Sequence, residues 1–130
     1  MKAHRVQTRW RDLDGLGHVN HTVVLTYLEE GRDAWLAEHG INRDEYVVGQ
    51  CSLTFRREIE PARKTVIAQC ELGSLGRSSI TTLERIVDED GETVVEAEFR
   101  LVLWDPERRI PRSITDHERA SMAPAERMDL

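Results

Sequence analysis

The 130-residue sequence contains little cysteine and no long hydrophobic run. Its two cysteines, Cys51 and Cys70, stand far apart in strand-like runs, so we expect buried free thiols rather than a disulfide or a metal site. No stretch of about 18 apolar residues is present, as a membrane-spanning helix would need, and the first ten residues lack the apolar region of a signal peptide. We therefore expect a cytoplasmic protein that does not insert into membranes.

A surplus of positive charge is also missing. The formal net charge is −6 and the sequence pI is about 5.4, which argues against a nucleic-acid-binding surface. A local basic patch for a phosphorylated small molecule is compatible with this balance, although each basic cluster can equally be a solvated surface. The candidate clusters are Arg56-Arg57, Arg63-Lys64, Arg77 and Arg108-Arg109.

One long helix is predicted from Thr22 to about Glu38. Acidic and basic residues fill much of its outer face, and these are Glu29, Glu30, Arg32 and Asp33. Apolar residues recur at helical spacing on the other face. Gly31 lies on this apolar stripe, where glycine costs up to about 1 kcal/mol relative to alanine, so we expect the helix to approach a sheet closely there. Gly40 is expected to end the helix.

Five strand-like segments accompany the helix, with hydrophobic alternation clearest in the last. They are residues 3–10, 47–60, 65–72, 78–87 and 93–104. Asp90-Gly91 predicts a hairpin turn, and Thr115 with Glu118 predicts a capping box that begins a short helix. We expect a single α+β domain over residues 1–130, with a tail from about residue 120 that is loosely ordered. The curled antiparallel sheet would have exposed edges, which favour pairing with another subunit.

The loop RDLDGLGHVNH at residues 11–21 carries most of the chemistry. Asn20 is placed to cap the helix, and the first helical turn offers unpaired N–H groups with about half a positive charge. A carbonyl oxygen placed there would be polarised, and an oxyanion formed there would be stabilised. Asp14 lies on the same loop, and a carboxylate can attack an activated acyl group or deprotonate a water that does so. The pattern is therefore compatible with acyl transfer.

Spacing alone leaves two other interpretations of this loop open. One is that Asp14 is a plain turn former, since Asp and Gly before a helix are common turn chemistry. The other is that Asp14, His18 and His21 hold a transition metal, although no further cluster of His or Cys supports that site. We expect neither a metal nor a cofactor.

A family resemblance favours the acyl-transfer interpretation of this loop. The run Asp14-x-x-Gly17-His18-Val19-Asn20, followed by YLEEGR at residues 27–32, resembles the active-site loop and central helix of hotdog-fold acyl-CoA thioesterases, most closely the 4-hydroxybenzoyl-CoA thioesterase-like group. The resemblance covers roughly residues 3–118. It implies a five-stranded antiparallel sheet wrapped around one long central helix, edge-to-edge dimers or tetramers, and active sites at the dimer interface.

The resemblance also implies the roles of individual residues. The catalytic carboxylate corresponds to Asp14, and the oxyanion donor, a backbone N–H at the start of the helix, falls near His21. Substrate-binding positions are implied for Gly17, His18, Asn20, Gly76, Arg77 and Ser78. The expected reaction is hydrolysis of an acyl-CoA to the free acid and CoA, with Asp14 as nucleophile or general base.

Two departures from the family pattern concern the acyl pocket. His21 stands where members usually carry a second Asn, and Val24 stands near a usual aromatic position, so the preferred acyl group cannot be taken over from a relative. An acyl-carrier-protein thioesterase and a non-catalytic acyl-CoA-binding module are the alternative functions.

Overall fold

The computed structural model describes residues 2–9, 12–13, 19–59 and 65–123. Within these ranges the elements, in chain order, are β1 (Lys2–Gln7), α1 (His21–Glu38), β2 (Tyr46–Phe55), β3 (Thr65–Leu75), β4 (Ser79–Val87), β5 (Thr93–Asp105), β6 (Ile110–Pro111) and α2 (Asp116–Met122). No helix in these ranges is long and apolar enough to cross a membrane.

The strands form one antiparallel sheet in the order β1-β3-β4-β5-β2, with β6 paired to the end of β5. The predicted α+β class is confirmed. In the part of the chain that the structure describes, the sheet has six strands rather than the expected five, because β6 contains only two residues and so shows no hydrophobic alternation in the sequence. Among these strands β1 and β2 are at the edges, and β2 pairs only with β5.

Helix α1 packs on one face of the sheet, against β1, β3 and β4. The helix approaches β3 closely at Gly31, where an added Cβ would lie 2.7 Å from the Cβ of Ala68. The predicted close approach is thus confirmed. Gly40 adopts φ +77° just after the helix, and the N–H of Ile41 bonds back to the carbonyl of Leu36 at 3.0 Å. Gly40 therefore ends α1 as expected.

The prediction that Arg32 lies on the outer face of the helix is wrong. Arg32 is 2% exposed, and its guanidinium binds both carboxylate oxygens of Glu84 at 2.9 and 3.1 Å. The same group lies 3.9 Å from the centroid of the Phe99 ring. The sheet curves far enough around α1 for β4 and β5 to meet this side of the helix.

The prediction for the cysteines is half right. Both are free thiols, and Cys70 is buried, but Cys51 is exposed. Cys51 pairs with Phe99 and so lies on the helix-side face of β2, at the edge of the sheet. Val48 and Phe55 share that face and are 46% and 50% exposed, because α1 packs mainly against β1, β3 and β4 and, within the described ranges, bonds to β2 only at its first residue, Tyr46.

The predicted capping box at the start of α2 is confirmed. Thr115 Oγ1 accepts from the N–H of Glu118, and Glu118 Oε1 accepts from the N–H of Thr115. Arg112 donates two hydrogen bonds to the Glu118 carboxylate at 2.8 and 2.9 Å. Since α2 extends to Met122, order continues past residue 120, and the rest of the expected tail, residues 124–130, lies outside the described residues.

Candidate active site at the start of helix α1

The chain on either side of residues 14–18 is held together just before α1. The carbonyl of Asp12 accepts from the N–H of Asn20 at 2.8 Å, and Leu13 forms an antiparallel bridge with Val19. Leu13 and Val19, the described residues on either side of this segment, are therefore neighbours. Three predicted site residues, Asp14, Gly17 and His18, lie outside the described residues.

Asn20 is the N-cap of α1, as predicted. Its Oδ1 accepts from the N–H of Thr22 at 2.9 Å and from the Thr22 hydroxyl at 2.7 Å. The carbonyl of Asn20 accepts from the N–H of Val23 at 3.0 Å. Among the described residues, none accepts a hydrogen bond from the N–H of His21. This amide sits at the positive end of the helix dipole and can donate to a ligand oxygen.

The His21 side chain points to the edge of the sheet. Its ring lies edge-on to the Phe55 ring, with centroids 6.4 Å apart. Phe55 ends β2 and pairs with Val95 of β5, so the start of α1 lies at the end of the sheet where β2 ends and β5 begins. The exposed apolar side chain of Phe55 thus lies beside the start of α1, where the His21 N–H is located.

Asp12 was not recognised in the sequence as a functional candidate, yet it anchors this region. It is 5% exposed, and its Oδ2 accepts from the N–H and Nε of Arg9 at 3.0 and 3.3 Å and from the hydroxyl of Tyr27. Burial alone would raise the pKa of Asp12, but the hydrogen bonds from Tyr27 and Arg9 outweigh it and lower the pKa. No sequence signal pairs Asp12 with Tyr27, because Tyr27 fits the helical stripe as an ordinary core residue.

The predicted substrate-binding turn, Gly76–Ser78, is held in place by hydrogen bonds to its backbone carbonyls. The carbonyls of Gly76, Arg77 and Ser78 accept from Arg119 Nη2, the N–H of Ile114 and the N–H of Leu103, at 2.9, 2.9 and 2.8 Å respectively. An added Cβ at Gly76 would lie 2.5 Å from Ser79 Oγ. Arg77 is exposed and Ser78 half-buried.

This turn lies at the opposite end of the sheet from the start of α1. Phe55, beside His21, pairs with Val95, whereas Ser79, which follows the turn, pairs with Val102. Seven residues of β5 separate the two levels, which at about 3.3 Å per residue is about 23 Å. One chain therefore brings Asn20 and His21 together but keeps Gly76–Ser78 apart from them.

The basic clusters named from the sequence differ in their surroundings. Arg56 pairs with Glu96 at 2.7 Å and Arg57 lies 4.0 Å from Glu92, as in a solvated surface, while residues 63–64 lie outside the described ranges. Arg77 and Arg108-Arg109 are exposed at the Gly76–Ser78 end of the sheet. Within the described ranges their guanidinium groups have no acidic partner, although the backbone N–H of Arg108 donates to Asp105 Oδ1 at 3.1 Å. Unpaired guanidinium groups can bind phosphate.

The sequence profile of the thioesterase-like superfamily matches residues 8–127, nearly the whole chain. The chain belongs to the thioesterase-like superfamily. It is a thioester hydrolase, and the helix start described above is its candidate active site.

Solved structures of other superfamily members share the fold of this thioesterase. A thioesterase from Thermus thermophilus, crystallised with coenzyme A and zinc, is 27% identical, with 95% of this chain and 98% of that chain covered and a TM-score of 0.84. A protein of Pseudomonas aeruginosa that is proposed to be a thioesterase is 30% identical, with 94% and 98% covered and a TM-score of 0.83.

A gentisyl-coenzyme A thioesterase resembles this thioesterase in fold alone. It is 15% identical, with 94% of this chain and 100% of that chain covered and a TM-score of 0.81. Among proteins of curated function, none matches the sequence. The similarities together show the hotdog fold.

Proposed function

We propose that this thioesterase hydrolyses an acyl-CoA to the free carboxylic acid and CoA. The observation that carries the proposal is the His21 N–H, which is free of acceptors among the described residues and lies directly after the loop that contains Asp14. The crystal complex of the Thermus relative with coenzyme A supports the choice of thioester.

In the proposed reaction the thioester carbonyl oxygen accepts a hydrogen bond from the His21 N–H. Either the Asp14 carboxylate attacks the carbonyl carbon, or it removes a proton from a water that attacks. The tetrahedral intermediate places its negative oxygen at the His21 N–H, which stabilises it. The C–S bond then breaks, and CoA leaves as the thiol or thiolate. In the covalent route, water cleaves the resulting anhydride to acid and free Asp14.

A complete site requires two chains in this proposal. Gly76–Ser78 would contact the pantetheine arm and Arg77 and Arg108-Arg109 the nucleotide phosphates. Within one chain, however, the level of Ser79 on β5 is about 23 Å along the strand from that of Phe55, which lies beside His21. Pairing of the open β2 edges of two subunits, in a dimer or a dimer of dimers, would supply the second half. The sheet would then wrap α1 as the central helix, with Gly17, His18 and Asn20 shaping the loop at the acyl group.

Release of free thiol from a panel of acyl-CoAs tests the proposal, with short aliphatic, long-chain and aromatic acyl groups. Asp14→Asn and Asp14→Ala should each lower kcat by about 10² or more. Asp90→Asn is the control, because Asp90, like Asp14, precedes a glycine in the sequence but lies in the β4–β5 hairpin and is not among the residues assigned to either half of the site. Turnover that survives both Asp14 substitutions would disprove the role of Asp14.

The same preparations separate the remaining alternatives. In a single turnover in ¹⁸O-water, label in the Asp14 carboxylate would establish the covalent route. Faster hydrolysis of the same acyl group on acyl carrier protein would favour a carrier-protein thioesterase. Acyl-CoA binding without any thiol release would instead indicate a binding module.

A further inference from the structure

Asp12 connects three parts of the chain that meet at the start of α1. Its carboxylate accepts from Arg9, just after β1, and from Tyr27 on the second turn of α1. Its carbonyl accepts from the N–H of Asn20, the N-cap residue. Asp12 therefore connects the segment just after β1, the N-cap residue before His21 and the second turn of α1.

The bond from Tyr27 to Asp12 is shielded from water, whereas the Arg9 side chain is 52% exposed. Asp12 is 5% exposed and Tyr27 is 0% exposed, and hydrogen bonds between a carboxylate and its donors are stronger and more directional than neutral ones. The three hydrogen bonds to the Asp12 carboxylate, two from Arg9 and one from Tyr27, all go to Oδ2. That oxygen is therefore poorly suited to attack a substrate. The arrangement is that of a support for neighbouring groups.

We propose that Asp12 and Tyr27 are positioning residues, which hold the His21 amide at the place where the oxyanion forms. The inference rests on the proposed function. A displacement of about 1 Å at a reacting centre can lower the rate by about 10². Substrate affinity should change little, because the contacts assigned to CoA are made by Gly76–Ser78 and the nearby arginines, whereas the side-chain bonds of Asp12 in the described residues go to Arg9 and Tyr27.

The chain provides a matched control for the Tyr27 hydroxyl. Tyr46 is also buried, at 9% exposure, and its hydroxyl also donates to a carboxylate, that of Asp33 at 2.7 Å. Asp33 lies on α1 twelve residues beyond His21. Tyr27→Phe and Tyr46→Phe thus each remove one bond between a tyrosine hydroxyl and a carboxylate, at two positions of α1 that are six residues apart.

We expect Tyr27→Phe to lower kcat at least about 10-fold with KM within about 2-fold of the parent value, and Tyr46→Phe to leave both within about 2-fold. Rates are compared well below the lower of the two Tm values, so that both proteins are folded. Asp12→Asn keeps an oxygen acceptor for Tyr27 and should retain more kcat than Asp12→Ala, a rescue that general destabilisation would not produce.

The outcomes separate this inference from the proposed function. Equal kcat values for the two tyrosine variants would overturn the positioning role, even if Asp14→Asn abolishes turnover. A kcat loss confined to Tyr27→Phe supports the role even if Asp14→Asn remains active, since the role concerns the His21 amide. In that last case only the assignment of Asp14 fails.

Discussion

At the scale of single residues, Arg32 and Glu84 form a buried ion pair, and we expect its disruption to lower stability strongly. The side chains are 3% and 1% exposed, and Thr82 also donates to Glu84. Burial alone would lower the pKa of Arg32, but the hydrogen bonds to Glu84 and its charge outweigh burial and raise the pKa. Arg32 is therefore charged in the native protein, and a guanidinium keeps its charge in proteins even where an acidic partner is removed.

Because of that charge, Glu84→Gln should lower the free energy of unfolding by about 3–5 kcal/mol, measured by urea denaturation at pH 7. Glu96→Gln, which removes the exposed partner of Arg56, should change it by less than about 1 kcal/mol. The double variant Arg32→Met/Glu84→Leu should recover much of the loss. Similar values for Glu84→Gln and Glu96→Gln would contradict this account.

Some residues could be predicted from sequence because their requirement is local. Gly40 and Asn20 end and begin α1 through bonds within a few residues of the chain, and Gly31 was recognisable as an unfavourable choice in a helix. Arg32 and Asp12 could not be predicted in the same way. Their partners, Glu84 and Tyr27, are 52 and 15 residues away, and only the folded chain brings them together.

At the scale of elements, α2 connects three distant parts of the molecule. Arg112 bonds to Glu118 and lies 3.4 Å from Glu45, and Arg119 bonds to the carbonyl of Gly76. Ser121 lies 2.7 Å from the ring of His39, just after α1. The bonds from Arg112, against the effect of burial, lower the pKa of Glu118 below its ordinary value of 4.5.

A carboxylate with a lowered pKa stabilises the fold above its ordinary pKa, and the stabilisation is lost as pH falls through the folded value. Glu118→Gln should therefore lower the free energy of unfolding by about 1–2 kcal/mol at pH 7. The difference from the parent protein should shrink steadily below pH 4.5. Urea titrations at pH 7, 5, 4 and 3 check this, with exposed Glu107→Gln as control; a difference independent of pH would contradict it.

Elements were predictable where hydrophobic alternation or turn chemistry extended over several residues. The β4–β5 hairpin formed at Asp90-Gly91, with Gly91 at φ +83°, and the capping box began α2. β6 escaped prediction because two residues define no period. The predicted second strand, 47–60, was too long, since β2 ends at Phe55.

At the scale of the whole molecule, the uncovered β2 edge predicts self-association. Val48 is 46% exposed on the helix-side face of β2, and Ile110 of β6 is exposed to the same extent. Val48→Lys should shift the protein towards monomer and lower thiol release, whereas Ile110→Lys should leave both unchanged. Sedimentation equilibrium checks the mass. A native monomer with full turnover would show that one chain makes a complete site.

The close contact at Gly31 is the point about which helix α1 would tilt on the sheet. The helix meets the backbone and Cβ of Ala68 there without an intervening side chain, and His21 lies ten residues, or about 15 Å, along the axis from this contact. A tilt of only about 4° about the contact moves the start of the helix by about 1 Å, which is enough to misalign a reacting group. The missing side chain at Gly31 therefore sets how closely α1 lies on β3, and through the helix it affects the position of the His21 amide nearly three turns away.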